Sequence, residues 1–187
     1  MPKTRLALAL VVAFGLGGCA KRSAESAIAQ AESDIAGMQA TAEKVAPNEF
    51  KTLRDSVTAM KAKVTAGDYS GALMGARTVG TMARDLRANL TGRAAQLTTA
   101  FNGIAAELPK QVDAVTAKVK ELAGLKKLPA GIDPAGFAAL KDQVPTWSQT
   151  WATADASFKA GNLADALSKA NDLKTKVAAA MKVVGLS

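Results

Sequence analysis

The sequence predicts an all-α protein: an elongated antiparallel helical bundle of two αα-hairpins joined by a long, proline-kinked central helix. Apolar residues recur at steps of three and four along most of the chain, the period of a helix with one buried face. No stretch shows the strict alternation of a half-buried strand, since Thr and Val fall within helical spacing. The composition is 49% hydrophobic but only 4% aromatic, with alanine dominant, which suits closely packed helices that bury little area per residue.

The first eighteen residues stand apart, and residues 19–26 are small and polar, the composition of a short tether. Residues 27–187 form a single helical domain. Ile28, Ala31, Ile35, Met38, Ala42 and Val45 line one helix face. Pro47 ends that helix, and Asn48 is placed to N-cap the next. Phe50, Leu53, Val57, Met60 and Val64 repeat the spacing as far as Gly67-Asp68, a stop and restart. Glycine accepts the left-handed position after a helix, and aspartate caps the following one.

A long stripe then runs through Val79, Ala83, Leu86, Leu90, Ala94, Leu97, Phe101, Ile104 and Leu108, and keeps phase through Val112, Val115, Val119 and Leu122. Pro109 interrupts it. Either one bent helix runs from about 69 to 124, or two helices meet at a tight break beside the proline. Residues 124–136, "GLKKLPAGIDPAG", form a linker, where Asp133-Pro134 has the order of an N-cap followed by proline at N1. Phe137, Leu140, Val144, Trp147, Trp151, Ala154 and Phe158 make the next stripe, kinked at Pro145. Gly161-Asn162 stops it, and Leu163 to Val184 complete the chain.

"AGDYSGAL" at 66–73 and "AGNLADAL" at 160–167 share the frame Ala-Gly-Asx-apolar-x-x-Ala-Leu. Each copy follows a helix that opens near a phenylalanine, Phe50 or Phe137. The two hairpins are therefore placed near 48–90 and 133–185. Each turn residue has a conformational reason to be there, so the repeat reads as turn chemistry rather than as a binding loop.

The net charge is +8, with no histidine and one cysteine. Without histidine the chain lacks the commonest general base and metal ligand. A lone cysteine allows neither an internal disulfide nor a cysteine zinc cluster. No nucleophile–base spacing, phosphate loop or metal-ligand set occurs, so no catalytic residue, cofactor or metal is assigned. Arg77, Arg84, Arg87 and Arg93 do not share one helix face, and no aromatic interleaving accompanies the basic residues, so nucleic acid is not an expected partner. Trp147, Trp151 and Phe158, which share a face with Phe137, are candidates for an apolar ligand groove, but core knobs are the favoured reading, because they sit on the only stripe of that helix that can face a neighbour.

The N-terminus is the most informative segment. Lys3 and Arg5 precede an apolar run, Leu6 to Leu16, that is shorter than the roughly 20 residues a spanning helix needs. Small residues then lead into Cys19. The stretch Leu16-Gly17-Gly18-Cys19 resembles the lipobox of bacterial lipoproteins. That resemblance implies a cleaved signal peptide (1–18), a diacylglycerol-modified and N-acylated Cys19, and tethering to a membrane. Loss of Lys3 and Arg5 with the signal peptide takes the net charge from +8 to +6. Ala20, not Asp, follows the cysteine, which by the Gram-negative sorting rule implies the periplasmic face of the outer membrane. Separately, Ala46-Pro47, a helix, Ala66-Gly67-Asp68-Tyr69 and an Ala-rich helix with Ala72 and Ala76 are similar to an uncharacterised helical domain family of envelope lipoproteins, over 42–86. This implies a helical envelope module and no chemistry. Covalent attachment to peptidoglycan through a C-terminal lysine is not expected, since residue 187 is serine. The expected function is that of a non-catalytic envelope lipoprotein, a structural or protein-interaction module meeting an envelope protein or an anionic wall or lipid surface. The alternative is a carrier of a hydrophobic or anionic ligand between its helices.

Overall fold

A computed structural model describes residues 9–186, with side chains from residue 18 onward. The described residues are α-helical apart from short turns, one 3-10 segment and one linker, and contain no strand. The order is α1 (Ala9–Ala36), α2 (Gln39–Val45), α3 (Pro47–Thr65), α4 (Tyr69–Ala105), α5 (Leu108–Ala123), α6 (Pro134–Gln143), a 3-10 turn (Val144–Thr146), α7 (Trp147–Lys159) and α8 (Leu163–Val183). The contacts divide the chain into two compact units, Met1–Thr91 and Gly92–Ser187, where the sequence reading takes 27–187 as one domain. Helix α4 supplies residues to both.

In the first unit α1 buries Ala24, Ile28, Ala31 and Ile35. Residues 20–26, read above as a tether, lie inside this helix, and Ala24 is fully buried. The stripe from Ile28 to Val45 keeps its phase but belongs to two helices. The break at Gly37-Met38 is held from outside: Arg87 Nη2 donates to the Asp34 carbonyl at 2.8 Å, taking one of the acceptors that a helix end leaves unpaired. A Cβ on Gly37 would lie 3.2 Å from that same nitrogen. Helix α3 starts at Pro47 with Ala46 as N-cap residue. Asn48 is therefore inside the first turn and does not cap, because proline's fixed φ already suits N1.

The repeated turn is resolved at both copies as a Schellman closure. After α3, Gly67 (φ 81°) donates to Val64 O at 3.1 Å, and Asp68 N–H donates to Lys63 O at 2.9 Å. After α7, Gly161 (φ 77°) donates to Phe158 O at 2.9 Å and Asn162 N–H to Ser157 O at 2.9 Å. Asp68 then caps α4 by accepting from Gly71 N–H at 2.8 Å. Asn162 makes no such side-chain bond.

The second unit has one core, from Phe101 and Ile104 of α4 through Leu108, Val112, Val115, Val119 and Leu122 of α5 to the buried faces of α6, α7 and α8. Pro109 lies in the first turn of α5, after a two-residue interruption at Ala106-Glu107. Glu107 keeps a helical conformation (φ −119°, ψ −35°), so the stripe crosses the bend without losing register. Asp133 caps α6, accepting from Ala135 N–H at 3.3 Å and Gly136 N–H at 2.7 Å, with Pro134 at N1 as its sequence predicts. Pro145 sits in the 3-10 turn that separates α6 from α7. Leu128 and Ile132 pin the linker to the core. Helices α7 and α8, joined by the three residues Ala160, Gly161 and Asn162, pack extensively on each other.

Candidate functional site

Cys19 is exposed on α1. The buried face of that helix is defined by Ala24, Ile28, Ala31 and Ile35, and at 100° per residue Cys19 falls on the opposite side. Its thiol therefore belongs to no core. Gly18 beside it is also exposed, and a Cβ there would meet nothing within 4 Å. Leu16 and Gly17 belong to the helical backbone of α1, but their side chains lie outside the described residues, as do Lys3 and Arg5 entirely. Among the described residues no helix is long and apolar enough to cross a membrane, and no cluster of His, Cys, Asp and Glu is arranged to hold a metal ion.

The aromatic candidates divide. Trp147 is 2% exposed and is a core residue. Trp151 and Phe158 are partly buried, and both stack on Phe101 with ring centroids at 5.5 and 4.3 Å and interplanar angles of 11° and 7°. Phe101 is itself 2% exposed. Its ring occupies the space between α4 and α7 that a ligand in a Trp151–Phe158 groove would need. The sequence places Trp147, Trp151 and Phe158 on one face. It does not reveal Phe101 as their partner, because that residue belongs to another helix stripe and only tertiary packing joins them.

One further polar cluster emerges from the fold. Lys169 Nζ on α8 donates to Ser157 Oγ on α7 at 3.2 Å and forms an ion pair with Asp165 one turn earlier on α8. Hydrogen bonds from Lys169 and then Ser157 hold the Asp165 carboxyl below its usual range. The three side chains thus clasp α7 to α8. Asp68 is likewise held low, first by the Gly71 N–H and then by Lys63.

Two shallow hollows flank α1 in the first unit. One, of about 330 Å³, lies between α1 and α3, bordered by Ile35, Gln39, Arg54, Val57 and Lys61, and is bridged by the Lys61–Glu32 ion pair at 2.6 Å. The other, of about 220 Å³, lies between Ala27, Ala31 and Asp34 of α1 and Leu73, Arg77 and Gly80 of α4. Both are open, and neither gathers a nucleophile with a base. No known family model, curated protein or solved structure matches this chain.

Proposed function

We propose that the protein is a bacterial cell-envelope lipoprotein, anchored in a membrane through acylated Cys19, that acts as a non-catalytic structural or protein-interaction module. One observation carries the reading: a basic start, an apolar run, Leu16-Gly17-Gly18 and a single cysteine follow one another in the order that lipoprotein processing requires. The exposure of Cys19 supports it, since the thiol is open to an acyl-transfer enzyme. Two or three acyl chains, at about 0.8 kcal/mol per buried CH₂, hold a protein at a bilayer where one chain does not. Ala20 directs this reading to the periplasmic face of the outer membrane in a Gram-negative host. The stack of Phe101 between Trp151 and Phe158 favours the interaction module over the ligand carrier, because the seam is occupied by the protein's own ring.

The test is Cys19→Ser with palmitate labelling and membrane fractionation. The wild-type protein takes up label and sediments with membranes, and the variant does neither. A variant that still incorporates palmitate refutes the assignment. In-cell crosslinking of the mature protein then identifies what it meets. Recovery of no envelope protein, wall fragment or lipid refutes the interaction role.

A further inference from the structure

We infer that the first unit rests directly on the bilayer, through the α1 turn after Cys19 and the α3–α4 turn, with Tyr69 at headgroup level. The inference builds on the acylation of Cys19 proposed above. It depends first on the missing tether. Helix α1 runs unbroken from Ala9 to Ala36, and Ala24, five residues past Cys19, is already at 0% exposure. At about 1.5 Å of rise per residue, the core begins roughly 7.5 Å from the anchor. That is within the depth of a headgroup layer, given a bilayer of about 40–45 Å around a 30 Å hydrocarbon core.

The register of the neighbouring helices shows which residues share that level. Helix α3 runs antiparallel to α1 and α2. Glu32 pairs with Lys61 at 2.6 Å and Glu43 with Arg54 at 3.9 Å, so rising numbers on one side meet falling numbers on the other. The C-terminal end of α3, with Gly67 and Asp68, therefore lies toward Cys19. Helix α4 runs parallel to α1. Ala27, Ala31 and Asp34 share a hollow with Leu73, Arg77 and Gly80, and Arg87 reaches the Asp34 carbonyl and the Gly37 turn beyond it. Extending that register toward the N-terminus brings Tyr69, the only tyrosine of the chain, level with the stretch of α1 around Cys19. Tyr69 is half-buried, and Lys21 and Arg22 are exposed on that stretch of α1. A tyrosine with one apolar and one polar end favours the headgroup region, and the two cations suit anionic lipid. The acidic groups at this end, Glu25 and Asp68, already face Lys21 at 3.9 Å and Lys63 at 3.1 Å. The partner surface is thus the headgroup plane of a phospholipid bilayer.

The test uses the full-length acylated protein in phosphatidylethanolamine–phosphatidylglycerol vesicles that carry a nitroxide on the headgroup. Acylated Cys19 has no thiol, so a fluorophore on Tyr69→Cys, or on exposed Ser70→Cys as the milder variant, reports that site alone. Asn48→Cys, at the other end of α3, is the distal comparison. The label at 69 or 70 is expected to be quenched at least threefold more than the label at 48. Insertion of ten Gly/Ser residues between Lys21 and Arg22 is expected to abolish the difference. Equal quenching at both ends in protein that floats with the vesicles overturns the inference and leaves acylation intact. Protein that does not float, with Cys19 itself taking the label, overturns the acylation reading beneath it.

Discussion

Phe101→Ala is the most informative single perturbation of the second unit. The ring is 2% exposed and stacked against Trp151 and Phe158. Its removal leaves a hole that the surrounding helices close only in part, at a cost of about 3–5 kcal/mol, part of it the two ring contacts at about 0.5–1.5 kcal/mol each. The two tryptophans of the chain, Trp147 and Trp151, both lie in this unit, so tryptophan fluorescence during urea unfolding reports on it specifically. With a urea slope of about 1.5–2 kcal/mol per molar for a unit of this size, the midpoint falls by about 2 M. Phe101→Leu retains most of the volume but loses the stack, and its cost is about 1–1.5 kcal/mol. A Phe101→Ala midpoint within about 0.3 M of wild type, or equal losses for the two variants, refutes the stacked seam and reopens the space beside Trp151 as a ligand groove.

Three further outcomes test the turns, helix interiors and charges. Gly161→Ala forces a Cβ into a left-handed position (φ 77°) and destabilises the second unit by about 1–2 kcal/mol, whereas Gly103→Ala, inside α4 with nothing within 4 Å of the added Cβ, stabilises it by about 0.5–1 kcal/mol; both are read from the same fluorescence transition. Gly71→Ala puts a Cβ 2.1 Å from Asp68 Oδ2 and so expels the α4 cap, costing the first unit about 1 kcal/mol by circular dichroism melting. The carboxyls of Asp68 and Asp165 are held below the usual carboxylate range in the folded state by the hydrogen bonds they accept. Their contribution is therefore present above the unfolded value and is lost as pH falls through the folded ones. The urea midpoint drops between about pH 5 and pH 3, and the drop is smaller in Asp68→Asn/Asp165→Asn.

The helical class, the glycine turns and the proline positions are legible in the sequence because each is enforced locally. Gly67 and Gly161 sit where a left-handed residue is required, and Pro134 and Asp133 fit a helix start by their own geometry. Most readings that differ from the structure depend on distant residues. The break at Gly37-Met38 preserves hydrophobic phase, so periodicity cannot reveal it; it is held by Arg87, 53 positions along the chain from the Asp34 carbonyl it bonds. The Phe101 stack and the Ser157–Lys169–Asp165 clasp join different helices, and no spacing rule along one helix foretells them. Asn48 resembles an N-cap by residue type, but Pro47 fixes the start one residue earlier. The candidate lipidation segment is wholly a sequence signal, and the fold adds only the exposure of Cys19 and the helical course that follows it.

The distribution of apolar side chains bears on what kind of contact the module can make. Periodic stripes on every helix are consumed within the two units. Among the described residues the exposed large hydrophobics are Met74 in the first unit and Leu125 in the second, too few to form an apolar docking patch of a few hundred Å². The surface of the described residues is therefore mainly polar. The charges are unevenly shared: residues 92–187 hold 12 Lys and Arg against 8 Asp and Glu, a net +4, while residues 19–91 hold 10 against 8, a net +2. On the proposed reading the unit that carries the anchor is thus the less charged of the two. Its hold on the membrane comes mainly from acyl chains, which salt hardly affects. The second unit, with twice the net charge and no acyl group, would meet an anionic partner through contacts that weaken as ionic strength rises.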